Sequence, residues 1–473
     1  MKIINFLKNL FKNAKFKPIS INPIVVAVIA FIAAAIFFGR HTYENLSPTA
    51  LYYEEDLSSS FPIIYQIRNG NKINEMRGFT NDRYSIISND TITVLEKGRI
   101  LNLLIKNNGN NFSIIDYEVR DRTNNLLLER SRLEVQDDDY DENVDETKMT
   151  FNIQNLIKPN TSYLLTVKIN ISGRDIYYFT NIISRTRSNI DEAVFMATDF
   201  TEKTFNVASA SELVKYFETS INRDMREMYN VTLQQSFEQM TFADTGMRRL
   251  SEYYYDVYQA QEYSYNIVLS YLTESTKTEH RDLYINRDEY VLRWDEMRWY
   301  YMKFNRHTEE LLNLQNEPYN DSRNRFYVGI TDPNNLEKLE SENKRFFAFA
   351  KQNEIFIYDD EKKTMTNVFA YRINNATTFA NVPRNYGVKI MNVSNEGEVV
   401  YIIYGYNSSG RNEGNMGIGI FTYSSVTNQS IEDIYLPIFT TFQSLKYDIS
   451  RLCVFKNNQF IFKSYNKVYS INI

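Results

Sequence analysis

The stretch that decides the fold is IKPNTSYLLTV, residues 157–167. It reads apolar-x-Pro-x-Thr-x-Tyr-x-apolar-x-Val, a proline-led bend that passes straight into an alternating segment. Alternation of this kind marks a strand with one buried face. The neighbouring sequence is built in the same way. FPIIYQIRNGNKINEMRGF (61–79) carries two alternating segments around Asn69-Gly70-Asn71, a hairpin signal because Asn and Gly tolerate positive φ. RILNLLIKNNGNNFSIIDYEVRD (99–121) repeats the plan. An apolar strand and an Asn/Gly turn precede Phe112, Ile114, Asp116 and Glu118, which alternate with Ser113, Ile115, Tyr117 and Val119. Aromatics make up 15% of the chain, with 36 Tyr and 31 Phe, while Gly and Pro are scarce. Tyr, Phe, Ile and Val suit pleated, half-buried surfaces, so the expected fold class is mainly β with an α+β middle domain.

The 157–167 stretch resembles the E–F corner of fibronectin type III domains, where a tyrosine packs into the sandwich and hydrogen-bonds the backbone a few residues upstream. The resemblance covers residues 91–184. It implies that Tyr163 is the corner tyrosine, that Leu165 and Val167 point inward, and that DIYYFTNII (175–183) supplies the last strand. The early tryptophan of many such domains is absent here. The expectation is a β-sandwich over 61–186, of a kind that spaces and binds rather than catalyses.

From Asp191 the pattern changes, and 187–320 is expected to form an α+β domain. SASELVKYFETSI (209–221) opens with Ser209 and Glu212 at capping-box spacing, and Leu213, Val214, Phe217 and Ile221 share one helical face. Tyr263, Tyr265, Ile267, Leu269 and Tyr271 alternate, and DLYINRDEYVLRW (282–294) and MRWYYMKFN (297–305) follow in the same style. The tract 247–272 also fits a helical period through Leu250, Tyr254, Val257 and Tyr258. The reading taken is a helix packed on a curved antiparallel sheet. Residues 321–473 repeat a strand–turn–strand pattern about every 50 residues, with Glu396-Gly397 as one turn, which suits blades of a β-propeller. Three rounds fit where a closed propeller takes about four to eight blades, so a partial propeller is expected.

The N-terminus gives location. From Ile24 to Phe38 no side chain is polar, and the flanks extend the run to residues 19–39, about the 20 residues needed to cross a bilayer. Five lysines precede it (Lys2, Lys8, Lys12, Lys15, Lys17), and the first acid is Glu44. That asymmetry predicts a cytoplasmic basic segment at 1–18, a transmembrane helix at 19–39, a stalk at 40–60 and an extracytoplasmic bulk, with the lipid bilayer as a partner. The run continues through Ala33-Ala34-Ala35 into bulky Ile36-Phe37-Phe38, a poor cleavage site. The net charge of −6 argues against nucleic acid as the main partner. Cys453 is the one cysteine, so no disulfide can form within the chain and the exported domains must rest on their cores.

Searching for chemistry leaves no catalytic, cofactor-binding or metal residues to assign. His41, His280 and His307 stand in separate contexts without ligand spacing. In the acidic run 137–146, Asp137, Asp139 and Asp141 occupy loop positions one, three and five. Glu142 stands where the calcium loop needs Gly and Lys148 where it needs Glu, so a solvated hairpin loop is expected. Trp294, Trp299, Tyr300 and Tyr301 would suit either a sugar-stacking platform or a sheet core. The layout is similar to uncharacterised single-pass envelope proteins of clostridial-type bacteria and, by layout alone, to YycH-type regulators, which modulate a sensor kinase. The expected function is a membrane-anchored, non-catalytic sensing, regulatory or interaction protein of a bacterial cell envelope, with another envelope or membrane protein as partner. The alternatives are a glycan- or protein-binding scaffold and an envelope hydrolase.

Overall fold

The computed structural model describes residues 59–86, 91–154, 157–216, 229–242, 245–277, 282–312, 328–332, 336–371, 385–464 and 467–472. The expected basic segment, anchor (19–39) and nearly all of the stalk lie outside these residues. Among the described residues no helix is long and apolar enough to cross a membrane. Strands dominate, and the protein is mainly β.

The hairpin around Asn69-Gly70 forms as its chemistry demands. Strands Ile63–Arg68 and Asn71–Met76 pair through a turn in which Asn69 and Gly70 take φ of 49° and 80°. Ile63–Arg68 also pairs with Ile100–Lys106, which pairs with Glu146–Asn152. A second sheet runs in the order Ile92–Val94, Arg174–Ile183, Ser162–Ile171, Ile114–Asp121, Leu127–Glu134. The two sheets bury Leu101, Leu103, Phe151, Tyr117, Val167 and Tyr178 between them, giving a β-sandwich. Tyr163 is buried and its hydroxyl accepts a hydrogen bond from the Lys158 backbone N–H at 2.9 Å, while Leu165 and Val167 lie fully inside. The 99–121 stretch is not a hairpin. Its Asn/Gly turn carries the chain from one sheet to the other, because each flanking strand has an apolar face and both faces must meet the same core.

The first sheet does not stop at the sandwich. Tyr254 and Tyr255 pair in parallel with Lys72 and Ile73, and the sheet continues through Ser264–Ser275, Leu283–Trp294 and Trp299–Leu311 to Asn230–Thr232. The 247–272 tract is therefore strand, not helix. At the seam sits Asn74, fully buried at φ 53°. Its amide oxygen accepts from Val257 N at 2.8 Å, and its amide nitrogen donates to Ile92 O at 2.9 Å and to Thr93 Oγ1 at 3.1 Å.

The helix on this sheet is Ile190–Lys203, upstream of the expected position. Ile190, Ala193, Val194, Ala197, Phe200 and Thr201 form its buried stripe, and Asp191 and Glu192 suit the positive end of its dipole. The 209–216 stretch forms only a short helix, Val207–Ala210, capped by Asn206 rather than Ser209, and a 3-10 turn after it. The expected helix beyond residue 216 lies outside the described residues. Beneath the true helix, the Arg306 guanidinium pairs bidentately with Asp288 at 2.9 and 2.8 Å, both fully buried. Thr201 and Tyr271 donate to the same carboxylate at 2.9 and 3.1 Å, and Arg306 reaches Thr204 Oγ1 and Met240 O. Helix, sheet and the 240–242 segment are thus pinned at one point.

Three antiparallel meanders follow, of four, four and three strands, beginning at Glu337, Tyr386 and Cys453. The helix Phe442–Arg451 occupies what the sequence reads as the start of the third round. The first two meanders meet through Ala348, Ile357 and Phe369 against Val388, Tyr401 and Tyr423. The second meets the third through Ile402, Ile418 and Ile420 against Leu445, Phe460 and Phe462. Gly397, at φ 85°, makes the expected turn, and a Cβ there would strike the Phe346 ring.

A carboxylate in the second meander holds the first described residues. Glu413, buried in the loop before Met416–Ser424, accepts from Ser59 Oγ at 2.8 Å, Ser60 N at 2.9 Å and Phe61 N at 3.0 Å, and from Ser60 Oγ. Thr80 N donates to Gly414 O at 3.0 Å beside it, and Tyr406 OH to Gly78 O at 2.8 Å.

Replacing Glu413 by Ala removes an acceptor shared by four donors, of which Ser59 Oγ keeps only the Phe61 carbonyl. It is expected to cost about 3 kcal/mol in urea unfolding and to open the 59–61 segment to limited proteolysis, whereas Glu413→Gln costs less. Arg306→Met, which strands Asp288, is expected to cost about 3–5 kcal/mol. The double variant Asp288→Leu/Arg306→Met should regain most of that loss in the same unfolding measurement.

Candidate functional site

Alternation that buries one face of the Ile114–Asp121 strand exposes the other, so Asp116, Glu118 and Arg120 stand together on the outside of the sandwich. The neighbouring strands place Arg130 and Arg132 on one flank and Leu164, Thr166 and Lys168 on the other. The Asp82–Ile86 turn contributes Asp82 and Ser85 as a further wall. It is held over the sheet by a two-way backbone bridge between Phe79 and Tyr177, 2.8 Å in each direction, and by Phe79 packed on Tyr84, Phe179 and Tyr406. The result is a cleft of about 750 Å³.

Its floor is a ladder of charges. Asp116 accepts from Arg132 Nε at 2.7 Å and Nη2 at 3.2 Å, and Lys168 approaches its other side at 3.3 Å. Glu118 lies between Arg120, at 2.9 Å, and Arg130, at 2.8 Å. The hydrogen bonds from Arg132, and those from Lys168, hold the Asp116 carboxyl below its usual range. Burial works against the ionised form of Glu118, but Arg120 and Arg130 outweigh it and its pKa is lowered as well. Both carboxylates therefore stay charged through neutral pH, which suits recognition of a charged or polar partner and not proton donation. Asp116 and Glu118 were legible as one face of a strand; the arginines that face them were not singled out, although the i, i+2 spacing of Arg130 and Arg132 was the available signal.

The aromatic group does not converge on one surface. Trp299 and Tyr301 pack against the helix Ile190–Lys203, with Trp299 Nε1 donating to Glu192 at 3.3 Å and Tyr301 OH to Met196 O at 2.9 Å. Tyr300 lies instead under the guanidinium groups of Arg293 and Arg298, at 5.1 and 4.4 Å from its ring centre. Trp294 pairs with Trp299 across the strands at 5.4 Å. The acidic run forms a 3-10 turn, Asp137–Asp139, and a two-residue strand paired with Glu146–Asn152. Among the described residues no cluster of three or more His, Cys, Asp or Glu could hold a metal. His307 contacts Glu309 at 2.6 Å; His41 and His280 lie outside the described residues.

A second titratable group lies where the leading strands of the three meanders run side by side. Lys389 Nζ and Cys453 Sγ both donate to Ile449 O, at 3.0 and 2.9 Å. Burial pushes Glu337 up to about 7, against the nearby Lys389 charge and a bond from the Ile390 N–H. Burial also raises the Cys453 thiol, so it stays protonated and weakly nucleophilic at neutral pH.

No protein-family model matches the chain, and no curated protein matches it. Among solved structures, an engineered protein aligns over 26% of this chain and 20% of its own, at 6% identity and a TM-score of 0.16, too slight a likeness to bear on fold or function.

A carboxyl whose folded pKa is raised contributes stability that is fully present below its unfolded value and lost as pH rises through the folded one. Stability is therefore expected to fall between about pH 4.5 and 7 through Glu337, and Glu337→Gln should flatten that part of a thermal-unfolding profile against pH.

Proposed function

We propose that the chain is a membrane-anchored, extracytoplasmic interaction protein of a bacterial envelope, acting by recognition and not by catalysis. The observation that carries this is the cleft on the sandwich. Its two central carboxylates are each flanked by two cations, Asp116 by Arg132 and Lys168 from the two neighbouring strands and Glu118 by Arg130 from one of them and Arg120 from its own, a surface suited to charge-matched binding. The apolar run 19–39 behind five lysines supplies the anchor and its orientation. We read the sandwich as a fibronectin III-like module, supported by its two-sheet strand order and the Tyr163 bond to Lys158. The three stacked meanders we read as propeller-like blades, presenting further surface. The arrangement of anchor, stalk and sheet-rich modules is the layout of regulators that act on a membrane partner.

Alkaline phosphatase fused after residue 60 is expected to be active in intact bacteria, and the same enzyme fused at residue 10 inactive. Changing the five N-terminal lysines to glutamate should reduce the first signal severalfold. An inactive residue-60 fusion with the protein in the soluble fraction would sink the envelope reading.

A further inference from the structure

We propose that the outer edge of the Leu127–Glu134 strand accepts an extended peptide whose side chains alternate acidic and apolar, adding one strand to the sandwich. This rests on the reading of the protein as an interaction protein and supplies the partner's chemistry. The edge comes first. Leu127–Glu134 pairs with Ile114–Asp121 on one side and, among the described residues, with no strand on the other. An edge of this kind carries a row of backbone donors and acceptors that a peptide strand can satisfy.

Charge selects which peptide. Arg130 and Arg132 stand on the cleft side of this edge strand, with side chains 64% and 67% exposed. Two residues along a strand is a pitch of about 7 Å. The side chains on one face of an added strand repeat at the same pitch, so acids at i and i+2 would meet both arginines. Each guanidinium has five N–H donors, and those not turned to Asp116 or Glu118 remain for a second carboxylate.

The other face of the added strand meets the rim of the sandwich, apolar at Leu128 and Leu133 with the buried Glu129 and the half-buried Ser131 between them. Leu133 and Val135 are half-buried at the rim of the sandwich core, so apolar residues at the intervening positions would extend that core. A sulfated or phosphorylated polymer could satisfy the arginines but neither the backbone edge nor this rim.

The test is fluorescence anisotropy on the detergent-solubilised full chain with four labelled probes. These are a peptide of alternating Glu and Val, the same peptide N-methylated at every second residue in each of the two registers, and a sulfated oligosaccharide. The unmodified peptide should bind and weaken as salt rises. Its affinity should drop about tenfold or more in R130E/R132E and in one of the two methylated registers, and the oligosaccharide should bind more weakly. Equal binding of both methylated peptides, or of the oligosaccharide, would overturn strand addition in favour of a general polyanion surface. Absence of peptide binding, or binding unchanged in R130E/R132E, would overturn the inference. In each case the envelope reading stands or falls separately on the phosphatase fusions.

Discussion

One side-chain amide, that of Asn74, is shared by three parts of the structure. It sits where the ladder between the hairpin strands slips register, and it supplies through its side chain the bonds the backbone has lost. Its oxygen serves the Val257 strand and its nitrogen the Ile92–Val94 strand of the opposite sheet. A buried backbone N–H without a partner is costly, and Asn is one of the few residues that combine a left-handed backbone with a donor and an acceptor of their own. The sandwich and the helix-covered sheet consequently share a continuous surface instead of meeting at a linker.

With no disulfide available, the molecule is held by a succession of cores. One lies inside the sandwich, one under the helix, and two more between the stacked meanders. Each is rich in Tyr and Phe, which bury large areas, and the tyrosines bring hydroxyls that need partners. Partners distant in sequence meet that demand: Tyr178 OH donates to Pro62 O, Tyr271 OH to Asp288, and Tyr406 OH to Gly78 O. The high aromatic content is thus also a source of long-range hydrogen bonds between elements.

How much of this was legible follows from how local the cause is. The Asn69-Gly70 turn, the alternating strands and the bend before Tyr163 are decided by neighbours in sequence, and they stand where the sequence places them. The helix at Ile190–Lys203 escaped because Ala193, Ala197 and Thr201 supply half its buried stripe, and such small residues barely register as an apolar period. The expected cap at Ser209 lost to Asn206, whose side chain accepts from Ala208 N and Ser209 N. The cleft was half legible: Asp116, Glu118 and Arg120 share a face by alternation, but Arg130, Arg132 and Lys168 come from strands whose register no local pattern specifies. The segment 99–121 misled because a turn signal says that the chain reverses, not which sheet it then joins.

The Glu413 contact has a consequence for how the chain is made. Ser59 and the carboxylate that holds it are 354 residues apart. At 5–20 residues per second, a ribosome would add the intervening chain in about 20–70 s. For that interval the leading residues of the sandwich lack their acceptor, and the Asn74 seam waits in the same way for Val257. The sandwich would therefore reach its final form only after much of the chain that follows it has emerged, and a partner able to shield its open edge in the meantime would act on yield and not on final stability.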